Sequence, residues 1–197
     1  MIIPKLHYVS QGNTANEHLE NIQKACSSGA ELVQLNIKDI SEKKYLKFAE
    51  KAREITAHYQ TRLIITNYYK VAKTIKADGV HIDNTEFCPT VALDYLFTWQ
   101  IIGATASTLK ECQVLVEKKV DYIVFDPFTT FDSNSLNTTI PILGAGSITV
   151  KDIPVILQKG ISGVAISDAI TEDFNSIKVF HQQLNAASSD EKKYTFQ

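Results

Sequence analysis

Two apolar runs and the helix between them decide the fold: Glu31-Leu32-Val33-Gln34-Leu35-Asn36-Ile37, then Ser41–Tyr59, then Arg62-Leu63-Ile64-Ile65-Thr66-Asn67. The first run alternates apolar and polar residues, and the second is almost continuously apolar, as expected for strands. The segment between them carries the longer period of a helix, with Ser41 as a plausible N-cap that lacks a capping box. A strand, a helix and a strand in that order define a parallel pair with a helical crossover.

The same unit recurs outward in both directions. Further strand-like runs are Leu6–Ser10, Gly79–Asp83, Gln100–Ser107, Asp121–Pro127, Ile140–Ser147 and Gly163–Ile170. Helical stretches lie at Asn16–Ser27, Tyr68–Lys76, Pro89–Phe97, Thr108–Lys119, Thr149–Lys159 and Asn175–Ala187. Gly29, Gly79 and Gly160 stand where helices end or the chain turns into a strand. The segment Phe128–Thr139 is rich in Thr, Ser and Asn and reads as a loop with at most one helical turn, so the sixth helix is degenerate or missing. Eight βα units, one every ~23 residues, predict an α/β fold and favour a compact (β/α)8 TIM barrel. An open doubly wound sheet is the runner-up, and it lacks a G-x-G-x-x-G after the first strand. Residues 1–187 are expected to form a single barrel domain, with 188–197 a polar C-terminal tail.

Composition agrees with this picture. The 197 residues are 44% hydrophobic and 21% charged, enough apolar surface to order one core. A net charge of −2 without a basic stripe argues against an extended nucleic-acid surface. No apolar run is long enough to span a bilayer, and the start Met1-Ile2-Ile3-Pro4-Lys5 has no signal-peptide pattern, so no membrane role is expected. Cys26, Cys88 and Cys112 are scattered and odd in number, which predicts reduced thiols in a cytoplasmic protein.

In a barrel of this kind chemistry collects where the strands end. Alternation separates Val33, Leu35 and Ile37 from Gln34, Asn36 and Lys38, and the polar set belongs at a solvated mouth. His81 and Asp83 share a face of the fourth strand, with Glu86 in the following loop; Glu86 could hold Mg²⁺ or be a solvated charge. Gly103, Thr105 and Ser107 share a face of the fifth. Gly144-Ala145-Gly146-Ser147 and Ser167-Asp168 end the last two strands, where this fold commonly holds phosphate on backbone N–H groups. Tyr68 and Tyr69 follow the third strand and could stack on a ring or cap a helix.

Several of these segments resemble one family. Gly29–Lys38 is similar to a G-x-x-x-V-Q-L-R-x-K pattern, and Ala77-Asp78-Gly79-Val80-His81-Ile82 to A-D-G-V-H-L. Ile102-Gly103, Asp121-Tyr122-Ile123, Pro141–Gly146 and Gly163-Val164-Ala165 follow in the right order. Together they resemble the thiamine phosphate synthases, with the thiazole tautomerases as relatives, over roughly residues 5–185. The resemblance implies a barrel that joins hydroxymethylpyrimidine diphosphate to thiazole phosphate, releasing diphosphate with Mg²⁺ and basic residues, in a protein that forms a homodimer. It implies catalytic roles for Gln34, Lys38 and Ser107, and metal ligation by Glu86 and Asn67. It implies substrate contacts from Asn36, Thr66, Asn67, His81, Thr105, Gly144, Gly146, Ser147, Ser167 and Asp168.

The departures are as informative. Asn36 replaces a family Arg, and Thr66-Asn67 stands where the family has Asn-Asp. The loop 126–139 has no Lys or Arg but carries Asp126 and Asp132. Ser147 replaces a Gly, Ser107 replaces the tautomerase His, and Asp168 replaces a small residue or Ser. A carboxylate ~4 Å from a phosphate repels it by roughly 1–4 kcal/mol. The altered residues therefore also fit a non-catalytic binder of a less phosphorylated, thiamine-related molecule.

Overall fold

A computed structural model describes residues 2–83, 89–131 and 136–191. Eight parallel strands form a closed barrel in chain order, as the alternation predicts. They are β1 (Leu6–Val9), β2 (Leu32–Leu35), β3 (Arg62–Thr66), β4 (Gly79–Ile82), β5 (Ile101–Ala106), β6 (Tyr122–Phe125), β7 (Ile142–Gly144) and β8 (Gly163–Ile166). Closure is made by β8 beside β1, with Leu6 opposite Val164 and Tyr8 opposite Ile166.

The crossovers are α1 (Ala15–Ser27), α2 (Glu42–Tyr59), α3 (Tyr69–Thr74), α4 (Pro89–Tyr95), α5 (Leu109–Glu117) and α6 (Ile153–Gln158). Two helices follow β8: α7 (Asp168–Glu172) and α8 (Ser176–Glu191). Between β6 and β7 the described residues hold only a short 3-10 turn at Phe128–Thr130, so the sixth crossover helix is degenerate as expected. Local chemistry sets the boundaries. Thr14, Ser41 and Thr108 cap α1, α2 and α5 by accepting from the backbone N–H three residues on. Ser41 has the predicted cap, bonded to Lys44 N at 3.4 Å.

Three boundaries differ from the sequence reading. The run expected as strand to Ile170 stops at Ile166, and Asp168 opens α7 instead, because an acidic residue after Ser167 suits a helix start. The seventh strand shrinks to three residues, and the positive φ of 117° at Gly146 turns the chain soon after it. The last helix runs to Glu191, through the first residues assigned to the tail; residues 192–197 lie outside the described chain.

Strand alternation sorts the apolar residues into two layers. Leu32, Ile64, Ile101, Tyr122, Val124, Leu143 and Ala165 fill the barrel interior. Val33, Leu35, Leu63, Ile65, Val80 and Ile82 point the other way and pack in the layer shared with the helices. Each fully buried Leu, Ile or Val contributes roughly 1.5–3 kcal/mol relative to an exposed one.

The end of the barrel opposite the mouth is tied by two aspartates, each placed just before a strand. Asp78 Oδ2 accepts from Leu63 N at 2.8 Å and from Arg53 at 2.7 Å. Asp121 Oδ2 accepts from Ile102 N at 2.7 Å. Both satisfy a backbone donor of the preceding strand. No helix among the described residues is long and apolar enough to cross a membrane.

Candidate functional site

The carboxyl ends of the strands surround a cavity of about 240 Å³. From β2 and its extension come Gln34, Asn36 and Lys38; from β4 and β5 come His81, Asp83 and Thr105. Asp126, Gly146, Ser167 and Asp168 complete the polar wall. Eight of the residues expected at the site therefore meet in one cavity: Gln34, Asn36, Lys38, His81, Thr105, Gly146, Ser167 and Asp168. Asn36 and Lys38 also border a neighbouring hollow of about 590 Å³, beside Ser10, His18 and Lys44. There the Ser10 hydroxyl oxygen accepts from Asn36 N at 3.0 Å and lies 2.8 Å from His18 Nδ1, fixing the end of β2 against the β1–α1 loop.

The remaining expected residues do not line this cavity itself. Thr66 is buried and, with Asn67, borders an adjoining hollow that shares Asn36, Lys38 and Asp83 with the cavity; its hydroxyl accepts from Gln34 Nε2 at 2.9 Å and so orients that amide. Ser107 faces an adjoining groove with Lys110 and Glu111, which shares Asp83 and Thr105 with the cavity, because β5 ends at Ala106 and the chain has already begun to cap α5. Its backbone N–H donates to Glu111 Oε2 at 2.7 Å. Gly144 is buried within β7, and Ser147 is exposed outside the cavity wall. Tyr68 donates its hydroxyl to Ile40 O and packs 4.3 Å from the Tyr45 ring, while Tyr69 packs on Tyr95. Tyr68 is half-buried and borders a hollow of about 440 Å³ together with the mouth residues Asn36, Lys38 and Asp83, whereas Tyr69 does not.

Asn67 has a positive φ of 63°, a conformation asparagine tolerates better than most residues. Its Oδ1 accepts from Asp83 N at 2.9 Å, so this amide positions the end of β4. That oxygen is already engaged, and no cluster of three His, Cys, Asp or Glu suited to a metal occurs among the described residues. Glu86, the other expected ligand, lies outside the described residues, as do Cys88 and Asp132.

The interior beneath the mouth holds two histidines and a tyrosine that composition alone does not bring together. Burial pulls the pKa of His81 down to about 4, against an opposing pull from Asp83. Its ring stacks on Tyr122 with centroids 5.6 Å apart. His7 lies on the other side of Tyr122, in a T-shaped contact at 4.9 Å. Burial, reinforced by repulsion from His81, lowers its pKa to about 3. Neither ring nitrogen of His7 has a hydrogen bond of ordinary geometry, although the Pro4 carbonyl lies near enough to oppose the shift. Gly103 makes room for the tyrosine: a side chain there would lie 2.0 Å from the Tyr122 ring.

The charge at the mouth is unbalanced. Asp83, Asp126 and Asp168 line the cavity, and Lys38 is its one cationic side chain among the described residues. A Cβ at Gly146 would lie 3.4 Å from Asp126 Oδ1, so this carboxylate sits against the turn expected to grip phosphate. His81, neutral near pH 7, does not offset it.

A barrel with its polar residues gathered at the strand ends is the architecture of many small-molecule enzymes. A family profile described as Thiamine monophosphate synthase matches residues 6–135, and the chain belongs to that family. It is 35% identical over 124 residues to the thiamine-phosphate synthase of Flavobacterium johnsoniae, covering 63% of this chain and 58% of that protein. The Flavobacterium psychrophilum thiamine-phosphate synthase is also 35% identical, with 63% of this chain and 60% of that protein covered. The match thus spans less than two thirds of these relatives. The thiamine phosphate pyrophosphorylase of Pyrococcus furiosus shares the fold, with a TM-score of 0.77 at 20% identity, over 92% of this chain and 96% of that one. The 3-hexulose-6-phosphate synthase of Salmonella typhimurium does so with a TM-score of 0.67 at 13% identity, over 93% and 99%. The profile match ends before β7, so the carry-over to Gly146, Ser167 and Asp168 rests on the shared barrel.

Proposed function

We propose that the mouth binds the heterocyclic precursors of thiamine and joins hydroxymethylpyrimidine diphosphate to thiazole phosphate. The observation that carries this reading is the convergence of Gln34, Asn36 and Lys38 on one cavity, from the strand that bears the family-like segment. Gln34, held by Thr66, offers a fixed amide to a ring. Lys38 supplies positive charge for the departing diphosphate, a charge the transition state needs most. Thr105 and Ser167 add hydroxyls at the wall. The rest of the reading is a cytoplasmic protein, in keeping with free buried thiols at Cys26 and Cys112, that takes small-molecule substrates and forms a homodimer.

The pure protein is incubated with both substrates and Mg²⁺ in the buffer. Thiamine phosphate above background supports the reading, and its absence at high enzyme concentration overturns it. A second reading is favoured by the three carboxylates of the wall: a non-catalytic binder of a less phosphorylated thiamine-related molecule. Calorimetric titration with thiazole, thiazole phosphate, pyrimidine and thiamine separates the two. Preference for thiazole phosphate over thiazole counts against the second.

A further inference from the structure

The hydrogen bonds on one side of the mouth form a chain whose direction follows from chemistry. Asp83 Oδ1 lies 3.2 Å from Thr105 Oγ1. A carboxylate only accepts, so the Thr105 proton points to Asp83. Having one proton, the Thr105 hydroxyl must accept from its other neighbour, His81 Nε2, at 2.9 Å. His81 is buried, where a second ring proton and its charge are costly, so with its proton on Nε2 its Nδ1 is bare. That nitrogen accepts from the Tyr122 hydroxyl, 3.2 Å away. The chain therefore runs from Tyr122 through His81 and Thr105 to Asp83, with one donor at each step.

Its two ends differ. Tyr122 is fully buried in the interior, and Asp83 is exposed on the cavity wall. Asp83 is also held from behind, since its backbone N–H donates to Asn67 Oδ1. Among the described residues Thr105 is the one side-chain donor that reaches the Asp83 carboxylate. Three strands thus fix a carboxylate at the cavity, and among the described residues Thr105 alone uses its accepting capacity.

We propose that Asp83 is the specificity-determining residue of the mouth, positioned by Thr105 and His81 to accept a hydrogen bond from an N–H or amino group on a bound heterocycle. This rests on the reading of the mouth as a heterocycle site. Thr105 and His81 are positioning residues that act through Asp83. A ring with a donor in that place gains a charge-assisted hydrogen bond. A ring with a methyl group there leaves the carboxylate desolvated and unmet.

Two measurements test it. Nitrogen-15 chemical shifts of His81 in the unliganded protein report the tautomer, which is expected to be Nε2–H; an Nδ1–H ring overturns the proposal without any variant. Binding of a hydroxymethyl aminopyrimidine is then compared with the same ring carrying methyl in place of amino. Wild type is expected to prefer the amino compound by about tenfold or more. Asp83→Ala and Thr105→Val should reduce that preference several-fold or more, and Thr105→Ser should restore it. Binding of both compounds with equal affinity to wild type overturns the proposal and leaves the heterocycle site standing. If neither compound binds, both the proposal and the heterocycle site are overturned.

Discussion

At the scale of single residues, the charge around Lys38 and the isolation of His7 have measurable consequences. Asp168 lines the mouth where the fold commonly holds phosphate. At ~4 Å its repulsion of a phosphate is roughly 1–4 kcal/mol, the lower end applying to a solvated mouth. Asp168→Ser should therefore tighten binding of thiazole phosphate by about fivefold or more, with little change for unphosphorylated thiazole, as read by calorimetry. His7 has two buried nitrogens that make no ordinary hydrogen bond, at a cost of about 1–3 kcal/mol per unmet group. His7→Leu should raise stability by about 1–2 kcal/mol at pH 7. The sign of the pH effect follows from the lowered pKa. Between about 6.5 and about 3 the unfolded chain protonates this ring while the folded chain does not. Stability accordingly falls as pH drops through that window, by about 1.4 kcal/mol per pH unit for each such histidine. His81 contributes likewise down to about 4. Urea unfolding at pH 7, 6 and 5 should show a shallower loss in His7→Leu than in wild type; an unchanged slope refutes the assignment.

At the scale of elements, the strands and helices were legible because alternation and helical period are properties of short windows. The face of each residue was legible for the same reason. Once β2 is a strand, Gln34, Asn36 and Lys38 must share a side. Depth along the barrel was not legible. Thr66 and Gln34 lie on adjacent strands with Gln34 opposite Ile64, so Thr66 stands nearer the mouth and still holds the Gln34 amide, a height that alternation does not give. Ser107 left the mouth because Thr108 caps α5 and draws the chain aside. Asp83 shares the His81 face in the sequence, but the bond from Thr105 appears only when β4 and β5 pair, placing His81 opposite Gly103 and Ile82 opposite Ala104. The family-like Asp78 and the Asp121 that precedes β6 have a different task from the mouth residues. Each satisfies a backbone donor at the opposite end of the barrel. Asp121→Ala should lower stability by about 1–3 kcal/mol in denaturant unfolding while leaving ligand affinity unchanged. A loss of affinity at unchanged stability contradicts this division of labour.

At the scale of the whole molecule, the profile match and the fold have different extents. The match covers residues 6–135, but the barrel closes only through β7 and β8. Every strand has two neighbours because β8 lies against β1, with Val164 N donating to Lys5 O at 2.7 Å. A chain cut at 135 would lose one of the two partners of β1 and one of those of β6. Their backbone N–H and C=O groups would become open strand edges, templates for pairing with other copies of the same segment. Such a truncation should sediment as aggregates while the full chain does not, and a monodisperse, folded 1–135 fragment would count against it. The region most readily recognised as the family is thus not a separable unit. Closure gives the last two strands a second role beyond lining the mouth, as the guard that keeps the first six from self-association.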